Sequence, residues 1–287
     1  MITPEQWRGI ELVCFYLLFP ALLITTLSNS DLAFGELSTF ALAILAMICT
    51  MCLLLFLLRI PLLKLWKVQG PAYTTIFQTS TRWHGFIAFA IVDDLFGAQG
   101  LAILAVAFVV IIPIVNIINI WILATYANNE EVDFKVVIVT IIKNPLIIGI
   151  SIGILLNLTN ITLPTPIFTG LDLLGRSALG VSLLALGAGI SYQALKTSGK
   201  EVILASILRL LVTPLVALIF ALAFGVRGDV FVVLIVASAV PTAVNGYILA
   251  RTMGGDAELY AATSSAQVLF SFITLPIIIW LATQFAG

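Results

Sequence analysis

Residues 79–94 read "TSTRWHGFIAFAIVDD", and they combine strongly polar side chains with a long apolar run. His84 is the only histidine of the 287-residue chain, and Arg82 lies two residues before it. An arginine at the centre of a membrane helix costs roughly 2.5–3.5 kcal/mol, so it either reaches the membrane surface or faces a wet cavity. Gly85 lowers helix propensity at the same point. The stretch therefore predicts an interrupted helix beside a polar cavity.

The rest of the chain is apolar enough to lie in a membrane. Hydrophobic residues make up 61% of it and charged residues only 9%, against roughly 25% charged residues in soluble domains. Nine apolar windows can each cross about 30 Å of hydrocarbon: 7–28, 37–58, 71–96, 101–126, 136–157, 167–190, 201–225, 230–253 and 259–283. The sequence therefore predicts an all-α polytopic membrane protein, with residues 1–287 as a single membrane domain.

Several functional classes do not fit this composition. The formal net charge is −1, and there is no basic stretch that could neutralise the phosphates of a nucleic acid. The three cysteines, Cys14, Cys49 and Cys52, lie inside apolar windows and are interpreted as packing residues. No nucleophile–base pair, phosphate loop or metal-ligand cluster is apparent. We therefore expect no enzymatic activity, no metal site and no cofactor.

Lysine and arginine are concentrated in alternate loops, which indicates an orientation in the membrane. The loops after the second, fourth, sixth and eighth windows contain Arg59, Lys64, Lys67, Lys135, Lys143, Lys196, Lys200 and Arg251. The other loops contain one basic residue, Arg227. The positive-inside rule then predicts that the first residue is cytoplasmic and that the C-terminus lies outside.

Two short segments recur at an offset of 161 residues. "WRGIELV" (7–13) matches "FTGLDLL" (168–174), and "HGF" (84–86) matches "NGY" (245–247). The matched segments have opposite orientations in the predicted topology, which is typical of the inverted repeats of secondary transporters.

The offset predicts two inverted five-helix repeats with crossover helices, an incomplete one over 1–127 and a second over 136–287. Ten helices are needed and nine are visible, so we expect that the first helix is missing. A functional nine-helix variant is the alternative.

The eighth window contains a second predicted interruption, in "VPTAVNGYILARTMGG" (240–255). Pro241 removes a backbone donor, and Asn245-Gly246 lowers helix propensity. Two broken helices that meet would direct half-helix N-termini at an anion. The residues expected to bind substrate are His84, Asn245, Arg82, Ser80, Pro241, Thr242 and Gln267. A simple kink at Pro241, and helix–helix hydrogen bonds from Asn245 or His84, are the alternatives.

His84 has two candidate roles. A histidine in a low-dielectric interior is neutral unless an acid or a bound anion pairs with it, so His84 could couple proton movement to anion movement. Alternatively it only donates a hydrogen bond, as an asparagine would, and this interpretation is preferred. Asp93 and Asp94 lie near the predicted outer mouth, where they are either solvated or have a gating or coupling role.

Segments along the whole chain resemble the auxin efflux carrier family, in its bacterial branch of malonate- and malate-permease-like proteins. They are "IELVCFYLLFPALLITTLS", "TRWHGFIAFA", "IIKNPLIIGISIGILLN", "GVSLLALGAGI" and "VPTAVNGYILARTMGG" followed by "AATSSAQVL". The resemblance implies ten helices in two inverted repeats, with crossover helices that match the third and eighth windows here. It also implies scaffold and transport domains, elevator-like movement and carboxylate anion substrates.

The sequence departs from the family pattern at the first predicted interruption. The family usually has asparagine where this chain has His84, in an Arg-x-Asn pattern that matches Arg82-Trp83-His84. Some members also have a proline near the position of Ala90. The second interruption keeps the pattern, with Pro241 and Asn245. The departure leaves the substrate and the coupling ion open.

The sequence thus predicts a secondary active transporter of small organic carboxylate anions that works by an elevator-like mechanism. The expected setting is a bacterial inner membrane, with protons as a candidate coupling ion and a homodimer as a candidate assembly. One alternative is a sodium- or proton-coupled exchanger of the related symporter fold. Another is a membrane sensor without transport.

Overall fold

The computed structural model describes residues 3–30, 34–128, 134–188, 199–244 and 246–286. Across those ranges all regular structure is helical, with no strand. The α-helices are α1 Pro4–Val13, α2 Phe19–Ser28, α3 Phe34–Trp66, α4 Gly70–Thr81, α5 Gly85–Leu123, α6 Phe134–Ile142, α7 Pro145–Thr159, α8 Thr165–Ala188, α9 Lys200–Ile207, α10 Thr213–Ala223, α11 Gly228–Ala239, α12 Gly246–Thr252 and α13 Ala257–Ala286. The π-helical segments Cys14–Leu18, Ala124–Asn128 and Leu208–Val212 continue α1, α5 and α9. The predicted all-α class is confirmed for these residues.

Side-chain caps explain where two of the helices begin. Asn144 Oδ1 accepts a 2.9 Å hydrogen bond from the Leu146 N–H, at the first turn of α7. Asp256 Oδ1 accepts a 2.9 Å bond from the Leu259 N–H at the first turn of α13. The Asn144 cap divides the predicted window 136–157 into α6 and α7.

Helix α5 is a hairpin of two helical segments. The rings of Phe89 and Phe108 stack with their centroids 4.7 Å apart. A straight helix would separate these residues by about 28 Å along its axis. Gly97, between them, has non-helical dihedrals of φ 56° and ψ −145°, which glycine adopts without a Cβ clash. The chain therefore reverses at Gly97, and the two segments of α5 belong to the predicted windows 71–96 and 101–126.

Six helical segments are long and apolar enough to cross a membrane: Gln6–Ser28, Leu37–Trp66, Gly70–Ala127, Thr165–Ala185, Lys200–Ala223 and Ala257–Phe285. Helices α7 and α11 are apolar but shorter. The count differs from the nine predicted windows because the third and fourth windows run together through the Gly97 reversal, and because the fifth and eighth are interrupted. The structure is that of a multi-pass membrane protein.

Helix α2 packs closely against α7 and α8 because three glycines face it. An added Cβ at Gly149, Gly153 or Gly175 would lie 2.8–2.9 Å from atoms of α2. Helices approach closely in a membrane when small residues line the contact. These three helices therefore form a tightly packed unit beside the interrupted helices.

Replacement of Gly153 with valine is expected to destabilise the protein by about 1–3 kcal/mol, because the new side chain would overlap Leu23 and Leu27 of α2. Thermal unfolding in detergent measures the effect. Gly180→Val is the matched control, since nothing lies within 4 Å of a Cβ at that position. An equal fall in Tm for both variants would contradict the close contact of α7 with α2.

The interrupted helices lie in a second group of packed helices. Helix α4 contacts α9 and α13, while α11 contacts α5, α10 and α13. Most side chains of α4 and α11 are buried, including every residue from 73 to 81 and from 230 to 239. Polar groups within these two stretches are therefore shielded from both lipid and water.

Candidate functional site

Two helices are interrupted at the predicted positions. Helix α4 ends at Thr81, and α5 begins at Gly85. Helix α11 ends at Ala239, and α12 begins at Gly246. The residues that follow the first half of each pair have almost the same extended conformation, φ −69° and ψ 153° at Arg82 and φ −64° and ψ 149° at Val240. Each interruption leaves carbonyl and amide groups without helical partners.

The two interruptions are in direct contact. The His84 backbone N–H donates a 2.7 Å hydrogen bond to the Pro241 carbonyl. This bond pairs a donor freed at one interruption with an acceptor freed at the other. Such pairing is needed because unpaired backbone groups are costly inside a membrane.

A glycine begins the second half of each interrupted helix, with an aromatic ring against it. A Cβ at Gly85 would overlap the Phe108 ring, and a Cβ at Gly246 would overlap the Tyr260 ring. The two glycines are separated by the offset of 161 residues found in the sequence. Each interruption thus depends on glycine for the close approach of a ring.

Every second residue from 78 to 84, at the first interruption, carries buried polar atoms without hydrogen-bond partners in the protein. The residues are Gln78 (both amide atoms), Ser80 (Oγ), Arg82 (Nε) and His84 (both ring nitrogens). Gln78 and Ser80 are 0% exposed, His84 5% and Arg82 9%. Buried polar side chains are nearly always hydrogen-bonded to protein, water or a ligand, so a cluster of groups without protein partners is a candidate binding place for a polar ligand. This cluster is the candidate site.

The intervening residues do not share this property. Thr79 Oγ1 donates to the Thr75 carbonyl at 2.7 Å. Thr81 Oγ1 donates to the Phe77 carbonyl at 2.8 Å and exchanges bonds of 3.2–3.3 Å with the Asn119 amide. The unsatisfied groups therefore reflect the position of each side chain and not the polarity of the segment.

Gln267 and Thr242 lie at the second interruption, but their polar groups are engaged with protein. Gln267 Oε1 accepts a 2.9 Å bond from the Thr242 N–H. Gln267 Nε2 donates to the carbonyls of Thr79 and Ala205 at 3.1 and 3.2 Å. Gln267 thus connects α13 with both interruptions and with α9. Its direct binding of substrate remains a prediction.

Arg209 is a second buried arginine, and the sequence analysis missed it. Its Nε donates a 2.8 Å bond to the Val240 carbonyl, and its Nη2 lies 3.5 Å from the Ala237 carbonyl. The side chain is 2% exposed and caps the C-terminal end of α11, where the helix dipole favours a cation. Arg209 could have been found by the argument used for Arg82, since it is a charge inside the apolar window 201–225.

Tyr260 was also missed. Its hydroxyl donates a 2.6 Å bond to the Ala243 carbonyl and lies 3.3 Å from Thr242 Oγ1. Tyr260 thus contacts two consecutive residues of the second interruption. A tyrosine in an apolar helix gives no signal of this role in the sequence alone.

The structure does not bring Asp93 and Asp94 to the candidate site. They follow His84 by nine and ten residues along α5, which corresponds to about 13–15 Å of helix. Asp94 is exposed and lines an open, otherwise apolar pocket of about 530 Å³, with Ile87, Ala90, Ile91, Leu95, Leu183, Pro276 and Ile279. Their gating role remains a prediction.

Of the other predicted site residues, Ser80, Arg82, His84, Pro241, Thr242 and Gln267 are brought together around the two interruptions. Asn245 lies outside the described residues. Gln78 joins the site from α4 and was not predicted.

The electrostatics of the site favour an anion. Among the described residues, neither of the buried arginines Arg82 and Arg209 has a carboxylate partner. No group of three or more His, Cys, Asp or Glu residues that could hold a metal occurs among residues whose placement is described. A carboxylate or a similar anion would complete the hydrogen bonds of Arg82 and His84.

Known proteins with similar sequences are transporters. The family model described as "Membrane transport protein" matches residues 1–279. An uncharacterized transporter of Methanothermobacter thermautotrophicus is 22% identical over 283 residues, covering 96% of this chain and 89% of the relative. An uncharacterized transporter of Methanocaldococcus jannaschii is 23% identical over 288 residues, with coverages of 98% and 91%. A probable auxin efflux carrier component 5a of Oryza sativa is 26% identical over 152 residues, with coverages of 50% and 41%.

The family match extends over nearly the whole chain, and the resemblance drawn from the quoted segments is confirmed. The two archaeal relatives are also matched over most of their own length. The chain therefore belongs to the membrane transport protein family that includes the auxin efflux carriers.

Proposed function

We propose that this transporter is a secondary carrier of small organic carboxylate anions and that it binds them at the first interruption. The observation that carries the proposal is the set of unpartnered donors on Arg82 and His84, which are buried at the start of α5. Leaving such groups unsatisfied is costly in a low-dielectric interior, and an anion satisfies several of them at once.

The chemistry of these groups matches a carboxylate. An arginine presents Nε and a terminal nitrogen as a planar pair that matches the two oxygens of a carboxylate. The N-terminus of α5 adds backbone donors and a favourable dipole. The backbone N–H groups of Ile87 and Ala88 already donate to the His84 carbonyl. In this proposal the N–H groups of Gly85 and Phe86, in the first turn of α5, donate to the ligand.

The unsatisfied groups of Gln78 and Ser80 support a polar substrate. An amide and a hydroxyl can each donate and accept hydrogen bonds. A substrate with an additional hydroxyl or carboxyl group would use these atoms, whereas a purely aliphatic acid would leave them unpaired. Small hydroxy acids and short diacids are therefore the first candidates.

The mechanism that we favour is elevator-like movement of two inverted five-helix repeats with crossover helices. The 161-residue spacing of Gly85 and Gly246 supports the repeat. The glycine-lined packing of α2 with α7 and α8 supports a rigid scaffold beside the interrupted helices. In this proposal the interrupted helices carry the anion past the scaffold.

The setting of the carrier follows from the charge pattern of the loops. We propose that its C-terminus lies outside, because basic residues are concentrated in alternate loops. A bacterial inner membrane is the proposed location. A homodimer is the proposed assembly. Protons are the proposed coupling ion if His84 changes its protonation state during transport.

Purified protein in proteoliposomes is expected to take up labelled malonate or malate, and an acidic exterior should increase the rate if His84 couples protons. Protonation of His84 adds a positive charge that favours anion binding, so the sign is activation by acid on the side of uptake. Replacing His84 with asparagine keeps a hydrogen-bond donor and removes the titrating group. Initial rates with and without a pH gradient measure the effect.

Empty liposomes and an indole carboxylate serve as controls for leak and for substrate size. Uptake by the asparagine variant that no longer responds to the gradient would make His84 the coupling group. An unchanged response would leave His84 as a hydrogen-bonding substitute for asparagine. If the folded wild-type protein takes up no acid, the proposed function is wrong.

A further inference from the structure

Gln267 makes three of the four hydrogen bonds that its side-chain amide can form. It is fully buried on α13, and its three bonds of 2.9–3.2 Å go to Thr242, Thr79 and Ala205. An amide has one acceptor oxygen and two N–H donors in one plane. Here the oxygen takes one bond and the nitrogen gives two.

All three partners are backbone groups at places where a regular helix is disturbed. Thr79 lies in the last turn of α4, where carbonyls lose their helical donors. Thr242 lies within the second interruption. Ala205 lies in the last turn of α9, just before the π-helical segment Leu208–Val212.

The same π-helical segment supplies Arg209, which binds the carbonyl of Val240 two residues before Thr242. Helix α9 is therefore bonded to the second interruption directly through Arg209 and indirectly through Gln267. A π-helical turn changes the angular register of the side chains that follow it, and Arg209 lies within this turn.

We infer that Gln267 is a positioning residue that sets the separation of the two interruptions and thereby the arrangement of Arg82 and His84. Its side chain acts through the backbone at Thr79 and Thr242 and does not itself contact the anion. The inference rests on the proposed carboxylate site, and it assigns Gln267 a role different from substrate binding.

The variant Gln267→Glu provides a specific test because the hydrogen-bonding capacity of the new side chain depends on pH. The ionised side chain still accepts from the Thr242 N–H but has no donor for the carbonyls of Thr79 and Ala205. The protonated side chain regains one donor. The function of Gln267→Glu is therefore expected to be present at low pH and to be lost as the pH rises and the carboxyl group ionises.

The measurement is uptake of labelled malonate by proteoliposomes with the same pH on both sides, at about pH 5.5 and about pH 8. An exposed glutamate is ionised at both values, whereas burial at position 267 favours the neutral carboxyl group at the lower one. Rates of Gln267→Glu are divided by wild-type rates at each pH, which removes the pH dependence of the wild-type protein. We expect the ratio to be about tenfold higher at the lower pH, the effect of one buried hydrogen bond.

Gln284→Glu is the matched control, because Gln284 is exposed on the same helix. Its ratio is expected to be the same at both pH values. Gln267→Met, which has a similar volume and no donor, is expected to lose about tenfold at both pH values.

A Gln267→Glu ratio that does not change with pH would overturn the inference, as would wild-type uptake by Gln267→Met. A folded glutamate variant that is inactive at both pH values, while the methionine variant retains a tenth of the activity, would also overturn it by making Gln267 a substrate ligand. If Gln267→Glu does not fold, the uptake rate of Gln267→Met tests the inference instead, with a tenfold loss expected and wild-type uptake contradicting it. Absence of uptake by the wild-type protein would instead contradict the proposed carboxylate transport.

Discussion

Replacement of Arg82 with glutamine is expected to lower carboxylate uptake by about 30- to 150-fold, the effect of losing roughly 2–3 kcal/mol of charge-assisted hydrogen bonding. The loss follows because Arg82 offers an unpartnered Nε at a buried position beside His84. The fold should survive, because removal of an arginine without a carboxylate partner also removes the cost of burying its charge. Initial rates of uptake and the Tm in detergent separate these two effects.

Two further variants sharpen the test of Arg82. Arg82→Lys keeps the charge but loses the planar pair of donors, so we expect an intermediate rate. Arg176→Gln should have no effect, because the Arg176 side chain is 76% exposed on α8. Wild-type uptake by Arg82→Gln would exclude Arg82 from the binding site.

Replacement of Gly85 with alanine is expected to destabilise the protein by about 1–3 kcal/mol, the usual cost of overpacking. The added methyl group would overlap the Phe108 ring, which is held by its stacking on Phe89 and its contact with Trp83. The ring and the start of α5 must then move apart, so uptake is expected to fall together with the Tm. Thermal unfolding and uptake of the same preparation measure both effects.

A double variant tests whether overlap with the Phe108 ring causes the destabilisation by Gly85→Ala. Phe108→Leu frees space beside position 85, so Gly85→Ala should cost less in that background than in the wild type. Gly170→Ala is the control for the glycine substitution itself, since nothing lies within 4 Å of a Cβ there. Equal costs of Gly85→Ala in both backgrounds would disprove the contact.

The interruptions could be predicted from the sequence because their causes are local. Pro241 lacks a backbone donor and Gly85 weakens a helix wherever the chain places them. An arginine and a histidine within an apolar window also signal a polar cavity without knowledge of the fold. These local signals were sufficient to predict that Ser80, Arg82 and His84 lie at an interrupted helix.

The partners of these residues could not be predicted in the same way. Gln78 carries two unsatisfied amide atoms, whereas Thr79 Oγ1 donates to the Thr75 carbonyl of its own helix. The burial of the Gln78 amide depends on how α4 packs against its neighbours. Tyr260 reaches the second interruption only because Gly246 leaves room for its ring. Such relations depend on tertiary contacts between segments that are distant in sequence.

The apolar windows agree with the structure at one reversal and miss a helix start elsewhere. Windows 71–96 and 101–126 separate at the Gly97 reversal, whereas apolar length alone does not register that Asn144 starts a new helix within window 136–157. Arg209 is the exception among the missed residues, because its charge was visible in the sequence and its importance was not recognised.

The bond from the His84 amide to the Pro241 carbonyl joins the interruptions through main-chain atoms alone. Every amino acid except proline supplies this amide, so residue 84 can change without loss of the junction. The asparagine that the resemblance implies at this position would therefore leave the backbone arrangement unchanged. A substitution at residue 84 would alter only the side chain presented beside Arg82, and the surrounding architecture need not be rebuilt for it.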